Sequence, residues 1–234
     1  MNGMGNGGEQ PGEVGLAAGN MVRAGTLRGV VFDVDGVLFD SHRSNMQYYN
    51  LVRQAVKLPP LTSDEEDYCQ MATVGESLKH IIPESLMEAA EQACRAINYE
   101  KQIVPLLTLE PGLVELLHWL TQWNVHMAIF TNRSESVNKL LLYFGLEQFF
   151  SPVQHTGNSQ PKPSSNGLVQ ILNAWGLNPG QVAFIGDSKV DEQAAKSLGV
   201  PFWAFRNPSL HANLHIENFF TMISLLTPLV EDRQ

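Results

Sequence analysis

Short apolar runs alternate along this chain with segments in which apolar residues recur at helical spacing, and this alternation constrains the fold more than any other feature. Each run is continuous, which is typical of parallel strands buried on both faces of a sheet. The runs span residues 29–32, 124–130, 181–185 and 200–205. Strands joined through helices require right-handed crossovers. The pattern therefore predicts an α/β protein with a doubly wound parallel sheet covered by helices on both faces.

The segments between the runs carry helix signals of their own. Leucines stand at the i, i+3, i+4 and i+7 positions of 113–120, directly after a Pro-Gly pair. Similar spacing recurs over 137–144, 168–175 and 194–198, and a glycine follows each of these segments. Glycine at that place is a common helix terminator. These segments are therefore predicted to be the helices that cover the sheet.

One stretch breaks the alternation and predicts an insertion. After the first apolar run no strand-like segment occurs for about 60 residues, and helical patterns cover 45–57 and 84–103 instead. The beginning of the chain is rich in glycine and has no periodicity. The predicted parts are a flexible N-terminal tail at 1–25, a core domain with a Rossmann-like sheet at 26–41 and 106–234, and a small helical domain at 42–105.

Composition excludes several classes of partner. The 234 residues carry a formal charge of −9, and the basic residues are scattered, so nucleic acid is not expected as a partner. No apolar run approaches the ~20 residues that span a bilayer. Two cysteines are too few for a disulfide framework. We therefore expect a cytoplasmic protein without a membrane segment, and an anionic ligand would need a cation to hold it.

Acidic residues follow the first and third apolar runs. Asp33 and Asp35 come at the end of 29–32, and Asp187 and Asp191 follow 181–185. In open α/β sheets, ligands bind beyond the carboxyl ends of the strands. Carboxylates gathered there repel one another unless a cation or a proton lies between them. A hard divalent ion such as Mg²⁺ suits these oxygen ligands.

Groups that bind anions accompany these acids. Thr131, Asn132 and Arg133 follow the run at 124–130, and Lys162 lies between two prolines that restrict its backbone. Carboxylates, a hydroxyl, a lysine and a divalent ion form a set suited to phosphoryl transfer. The residues themselves therefore favour chemistry on a phosphorylated small molecule.

In this order, the motifs DxDGVxxDS, TNR, KP and GDSxxD resemble those of the haloacid dehalogenase-like hydrolases. The likeness is greatest to the phosphatase branch with a helical cap inserted after the first motif, as in the phosphoglycolate phosphatases. It spans about residues 29–226. It implies a Mg²⁺-dependent phosphatase that hydrolyses a small phosphomonoester metabolite through an aspartyl-phosphate intermediate.

The resemblance also implies a role for each matching residue. Asp33 corresponds to the nucleophile, and Asp35 to the general acid that later activates water. Thr131 and Asn132 correspond to the groups that bind the transferring phosphoryl group, and Lys162 to the cation that stabilises its charge.

The implied metal ligands are a second set. They are the carboxylates of Asp33 and Asp187 and the backbone carbonyl of Asp35, with Asp191 in support directly or through water. Asp191 also begins a predicted helix, where an aspartate stabilises the helix dipole, so a structural role stays open. Arg133 either pairs with a carboxylate or contacts the substrate.

Three alternatives to a phosphatase remain. A phosphosugar mutase would pass the phosphoryl group to a second hydroxyl instead of water, and Val37 is common in that branch. A catalytically silent binding module would use the cap as a partner surface, although the complete motifs argue against it. A phosphonatase is least favoured, because no cap lysine is marked for a Schiff base. The substrate, the cap residues that select it and the choice between monomer and homodimer are not determined by the sequence.

Overall fold

The structure is a computed structural model that describes residues 26–72 and 74–227. The predicted tail at 1–25 lies outside the described residues. The chain divides into two compact units, which we call the core unit (up to Leu38 and from Glu110 onward) and the insert unit (Phe39–Leu109). These boundaries differ by three and four residues from the predicted ones at 41/42 and 105/106.

Strands and helices alternate through the core unit, whereas the insert unit is mainly helical. In chain order the strands are β1 Gly29–Phe32, β2 Phe39–Asp40, β3 Thr108–Leu109, β4 His126–Phe130, β5 Val153–Gln154, β6 Val182–Gly186, β7 Phe202–Phe205 and β8 Leu214–Ile216. The α-helices are α1 His42–Ala55, α2 Ser63–Met71, α3 Val74–Ile81, α4 Met87–Ala96, α5 Tyr99–Gln102, α6 Leu113–Gln122, α7 Ser136–Tyr143, α8 Asn166–Trp175, α9 Lys189–Leu198 and α10 Phe219–Leu226.

The core unit is built on a six-stranded parallel sheet in the order β5-β4-β1-β6-β7-β8. The predicted α/β class and parallel sheet are therefore confirmed. The four predicted strands are present within one or two residues at most ends, but β5 and β8 were not predicted. These two have only two and three residues, which is too short for a periodic signal.

Helices cover both faces of this sheet. On one face Phe130 and Phe184 pack with Leu168 and Ile171 of α8 and with Ala195 of α9. On the other face the ring of Phe32 lies edge-on to Phe150 and to Phe219 of α10. The sheet is therefore buried on both sides, which explains why its strands read as continuous apolar runs.

The strand order reverses at β1. From β1 the chain passes to β4 and β5 on one side, and then returns to β6, β7 and β8 on the other. Phe32 is in register with Ile129 on one neighbour and with Ile185 on the other. The chain therefore leaves all three strands at the same carboxyl edge, where α/β sheets bind ligands.

The insert unit has its own small apolar core. It consists of buried side chains from α1, α2, α3 and α4 together with Ile82. The short antiparallel pair of β2 and β3 lies at the two ends of the insertion. The helix predicted over 45–57 is α1, but the one predicted over 84–103 is broken. The break falls at Ile97, which is extended, and at Asn98, whose side chain caps α5 by accepting from Lys101 N–H.

No helix in the described parts of the chain is long and apolar enough to cross a bilayer.

Candidate active site

The three central strands of the core unit end in polar residues at the same edge of the sheet. Asp33 follows β1, Thr131 follows β4 and Asp187 follows β6. The backbone N–H of Asp33 donates to the carbonyl of Ile185 at 2.9 Å, so the ladder continues for one residue beyond β1. The Asp33 side chain is thereby held on a paired backbone.

Lys162 joins two of the acidic residues. Its Nζ lies 2.7 Å from Asp33 Oδ1 and 2.5 Å from Asp191 Oδ1, and all three side chains are buried. The ammonium also lies 5.7 Å from the ring centroids of Phe130 and Phe184. The apolar surroundings exclude water, which strengthens the attraction between these charges. Lys162 is therefore a positioned charge and not a solvated one.

Asp191 is held on its other side by the start of α9. Its Oδ2 accepts from Ser188 N–H at 3.0 Å and from the Ser188 hydroxyl, which completes a capping box. Gly186 makes room for this arrangement, because a Cβ at that position would clash with Asp191. Both carboxylate oxygens of Asp191 are thus engaged.

Asp187 lies against the loop that follows β1. A Cβ on Gly36 would overlap the Asp187 carboxylate, and Gly36 has a φ of +71°, which favours glycine. The backbone carbonyl of Asp187 accepts from Asn207 Nδ2 at 2.8 Å. One oxygen each of Asp33, Asp187 and Asp191 lie within 4.8 Å of one another. These three carboxylates form the candidate metal centre among the described residues.

Two carboxyl groups of this centre, Asp33 and Asp187, have raised pKa values. Burial raises the pKa of Asp33 to about 7, helped by the charge of Asp191 and opposed by Lys162. Burial and the charges of Asp33 and Asp191 raise the pKa of Asp187 to about 8. Burial would lower the pKa of Lys162, but Asp33 and Asp191 outweigh it and raise that pKa above its usual value. Three carboxylates around one ammonium leave negative charge that a divalent cation would compensate.

The side chain of Asn132 binds the backbone of Lys162. Its Oδ1 accepts from Lys162 N–H at 2.7 Å, and its Nδ2 donates to the Lys162 carbonyl at 3.1 Å. This reciprocal pair fixes the lysine loop to the end of β4. Thr131, also buried, accepts a hydrogen bond at its hydroxyl from Arg133 N–H at 3.2 Å.

Asp35 forms an ion pair with Arg133. Arg133 Nε donates to Asp35 Oδ2 at 2.7 Å and Nη2 donates to Asp35 Oδ1 at 2.5 Å. Both carboxylate oxygens are therefore taken by the planar guanidinium, in the fork geometry of a strong ion pair. Of the two roles considered for Arg133, carboxylate pairing is the one seen here.

All the residues singled out in the sequence lie at this edge of the core sheet. They are Asp33, Asp35, Thr131, Asn132, Arg133, Lys162, Asp187 and Asp191. Sequence reasoning assigned no role to Ser188 or Asn207, which hold Asp191 and Asp187 in place. The spacing of Ser188 and Asp191 was a usable signal, because a capping residue and an acid three positions later mark a helix start. Nothing local marks Asn207.

Comparisons with known proteins agree with this site. The sequence model of the family described as haloacid dehalogenase-like hydrolase matches residues 30–205. A phosphoglycolate phosphatase of Pseudomonas putida is 30% identical over 191 residues, which are 75% of this chain and 68% of that protein. A phosphoglycolate phosphatase of Rhodobacter capsulatus is 28% identical over 84% of this chain and 94% of its own.

One solved structure has a fold similar to that of this chain. The crystal structure of a HAD-superfamily hydrolase of subfamily IA, variant 1, from Geobacter sulfurreducens matches with a TM-score of 0.77 and 32% identity. The match covers 86% of this chain and 97% of that one. The fold and the strand-end residues define a hydrolase of the α/β class whose site is a group of carboxylates. The chain belongs to the haloacid dehalogenase-like hydrolase family.

Proposed function

We propose that this protein is a Mg²⁺-dependent phosphatase that hydrolyses a small phosphomonoester through an aspartyl-phosphate on Asp33. The observation that carries the proposal is the buried contact of Lys162 with both Asp33 and Asp191, beside the carboxylate of Asp187. A nucleophilic carboxylate, a fixed ammonium and a cation site in one place are the parts that phosphoryl transfer needs.

The first half of the reaction belongs to Asp33 and Asp35. An oxygen of Asp33 attacks phosphorus, the new O–P bond forms as the ester P–O bond breaks, and the departing oxygen takes a proton from Asp35. In the second half Asp35 accepts a proton from water, the water oxygen bonds to phosphorus, and the acyl-phosphate bond breaks. Asp33 is thereby restored and inorganic phosphate is released.

Three further residues are proposed to bind the transferring group. The Thr131 hydroxyl, a neutral donor, and the Lys162 ammonium, a charged one, lie at the end of the sheet, where they can donate hydrogen bonds to the phosphoryl oxygens. We also propose Asn132 as a contact of the phosphoryl group, although its side chain already binds the Lys162 backbone. Removal of the Asn132 side chain would lower turnover whether Asn132 acts by holding Lys162 or by contacting the phosphoryl group.

The acidic residues fit Mg²⁺. Hard oxygen ligands suit this ion, and the raised pKa values of Asp33 and Asp187 reflect burial and, after it, like charges that a cation would relieve. Asp33, Asp187 and the backbone carbonyl of Asp35 would hold it, and Asp191, engaged by Lys162 and Ser188, would support them. When bound, the ion supplies positive charge that neutralises phosphoryl oxygens.

The insert unit is proposed to act as a cap that selects the substrate. The core residues described above recognise phosphate and carry no obvious selectivity for the rest of the molecule. Relatives at 26–30% identity are named phosphoglycolate phosphatases. We therefore propose a small phosphorylated metabolite of the phosphoglycolate type as substrate.

A phosphate-release screen across small phosphomonoesters tests this proposal. We expect Mg²⁺-dependent release, abolished by EDTA and restored by added Mg²⁺. A requirement for a bisphosphate activator without net phosphate release would replace the phosphatase by a phosphosugar mutase. Absence of turnover on a broad panel of phosphomonoesters, sugar phosphates and phosphonates would favour a silent binding module instead.

We also propose a cytoplasmic location. Cys69 and Cys94 are both free thiols, and thiols persist in a reducing compartment. Fractionation of cells that produce the full chain checks this, and recovery with a membrane or secreted fraction would contradict it.

A further inference from the structure

The peptide unit that joins Asp187 to Ser188 is held on both sides by side chains. Its carbonyl oxygen, that of Asp187, accepts from Asn207 Nδ2 at 2.8 Å. Its N–H group, that of Ser188, donates to Asp191 Oδ2 at 3.0 Å. Because a rotation of this peptide plane would break both hydrogen bonds, the backbone that carries the Asp187 carboxylate has one preferred orientation.

Asp187 lies beyond the part of the sheet that strand pairing fixes. Among the described residues, the pairing of β6 with β7 ends with Gly186 opposite Ala204, and α9 begins at Lys189. Asp187 therefore belongs to a short connection between a strand and a helix. Backbone groups in such a connection need partners other than those of the ladder. The Asn207 amide provides one for the carbonyl of Asp187.

The sequence Asn-Pro-Ser at 207–209 determines which end of the Asn207 amide faces Asp187. Asn-Pro is a common start of a turn. Here Asn207 Oδ1 accepts from the backbone N–H of Ser209 at 3.2 Å and from the Ser209 hydroxyl at 2.6 Å. This is the local contact by which asparagine stabilises turns. Since Oδ1 faces Ser209, Nδ2 is the end of the amide that meets the carbonyl of Asp187.

The loop that carries Asn207 is itself anchored at both ends. On one side, Arg206 Nη1 and Nη2 each lie 2.8 Å from an oxygen of the buried Glu110 carboxylate. On the other side, His211 N–H donates to Glu192 Oε2 at 3.2 Å. These contacts restrict the movement of the loop, so Asn207 presents its amide from a fixed support.

We propose that Asn207 is a positioning residue for the candidate metal centre, and that it acts through the peptide unit between Asp187 and Ser188. Its bond to the carbonyl fixes the backbone of Asp187, and the N–H of the same peptide supports Asp191. Hydrogen bonds in a chain polarise one another, so the bond to the carbonyl strengthens the bond from the N–H. This inference rests on the proposed Mg²⁺-dependent function and adds to it a residue outside the motifs.

Calorimetric titration of the full chain with Mg²⁺ tests the proposal without a substrate. Asn207→Ala should raise the Kd for Mg²⁺ roughly 10- to 100-fold, the usual effect of removing a residue that supports a metal ligand. Ser209→Ala removes one of the two donors that orient the Asn207 amide. It should raise the Kd by a smaller factor, about two- to fivefold. If Asn207→Ala does not fold, Ser209→Ala decides the question.

Asn213→Ala is the matched control, because the Asn213 side chain also binds the backbone next to β7. Its Oδ1 accepts from the N–H of Phe202, the first residue of that strand, at 2.9 Å. Asn207 follows the opposite end of the strand. The control should lower the thermal unfolding midpoint but change the Kd for Mg²⁺ by no more than about twofold. An unchanged Kd in Asn207→Ala, or equal weakening in both variants, overturns the inference.

A measurement without metal keeps this inference separate from the proposed function. The backbone amide of Ser188, which donates to Asp191, is followed by hydrogen exchange in Mg²⁺-free protein. Its exchange should accelerate at least roughly tenfold in Asn207→Ala and not in Asn213→Ala. Unchanged exchange in Asn207→Ala overturns the inference. If the wild type binds Mg²⁺ but releases no phosphate from any ester, the phosphatase proposal fails, and the Kd and exchange measurements still decide the role of Asn207.

Discussion

The buried charges around Arg53 in the insert unit are matched, whereas those around Lys162 in the core unit are not. In the insert, Arg53 Nη1 meets Glu65 Oε1 at 2.6 Å, and its remaining contacts go to the carbonyls of Pro59 and Ile81. In the core, the carboxylates of Asp33, Asp187 and Asp191 gather around one ammonium. The matched pair of Arg53 and Glu65 needs no further ion, whereas the unmatched acidic group of the core is prepared for a cation.

The pKa values of two carboxyl groups, one in each unit, are shifted in opposite directions. Burial works against ionisation of Glu65, but hydrogen bonds from Thr62 and Arg53 outweigh it and lower the pKa of that carboxyl. Burial raises the pKa of Asp33 to about 7 despite the contact with Lys162. For these two carboxyls, the lowered pKa goes with a matched ion pair and the raised pKa with an unmatched group of acids.

The largest effect is expected at the nucleophile. Asp33→Asn removes the attacking oxygen and should lower phosphate release by at least roughly 10³-fold. The matched change in the insert is Asp67→Asn, on an exposed face of α2, which should stay within about twofold of the wild type. Steady-state phosphate release measures both. Undiminished turnover by Asp33→Asn would remove Asp33 from the mechanism.

A pair of glycines tests how tightly each unit is packed. Gly36→Ala places a methyl group on the Asp187 carboxylate at a positive φ, so turnover should fall roughly 10²-fold or more and Mg²⁺ should bind more weakly. A Cβ at Gly75, in α3, meets nothing within 4 Å. Gly75→Ala should therefore be neutral or stabilise the protein by up to about 0.5 kcal/mol. Activity assays and thermal unfolding distinguish them, and equal behaviour of the two variants would contradict the crowded geometry at Asp187.

The ion pair of Arg53 and Glu65 in the insert unit should contribute to stability and not to catalysis. Arg53→Ala leaves Glu65 and two carbonyls without their donor, which should cost about 3 kcal/mol of local stability. Hydrogen exchange should accelerate over residues 39–109 and much less in the core sheet. Arg95→Ala, at an exposed position of α4, is the control and should change stability by less than about 0.5 kcal/mol. Equal acceleration in the core sheet would show that the two units unfold together.

The carboxylates of Asp33, Asp187 and Asp191 should make the stability of the protein depend on pH and on Mg²⁺. The pKa values of Asp33 and Asp187 in the folded protein, about 7 and about 8, lie above the usual value of 3.8. The Mg²⁺-free folded state therefore keeps protons that the unfolded chain releases, and its free energy of unfolding should fall as the pH rises from 4 to 8.

Mg²⁺ should reverse that loss. At ten times its Kd the ion should stabilise the protein by about 1.4 kcal/mol. At a fixed Mg²⁺ concentration the stabilisation should be larger at pH 8 than at pH 5.5, because protons compete for the same carboxylates. Chemical denaturation with and without Mg²⁺ measures this, and Ca²⁺ and Na⁺ at equal ionic strength are the controls. A Mg²⁺ effect that does not change with pH would contradict the assignment of these carboxylates as ligands.

Much of the fold was predictable because its signals are local. A buried parallel strand such as β1 or β6 reads as a continuous apolar run, and a helix such as α8 carries its periodicity and its terminal glycine within a dozen residues. The two-residue strand β5 and the break at Ile97 were missed. Pairing with a neighbouring strand decides the first, and a local capping contact decides the second.

The sequence by itself determined which residues stand at the strand ends, since a polar residue directly after an apolar run must emerge at the carboxyl edge of the sheet. Tertiary structure alone decided which of them touch. Arg133 and Asp35 are 98 positions apart, and Lys162 and Asp191 are 29 apart, so no spacing rule could pair them. The physical reason is that side-chain contacts between strands depend on sheet order and register, which long-range packing sets.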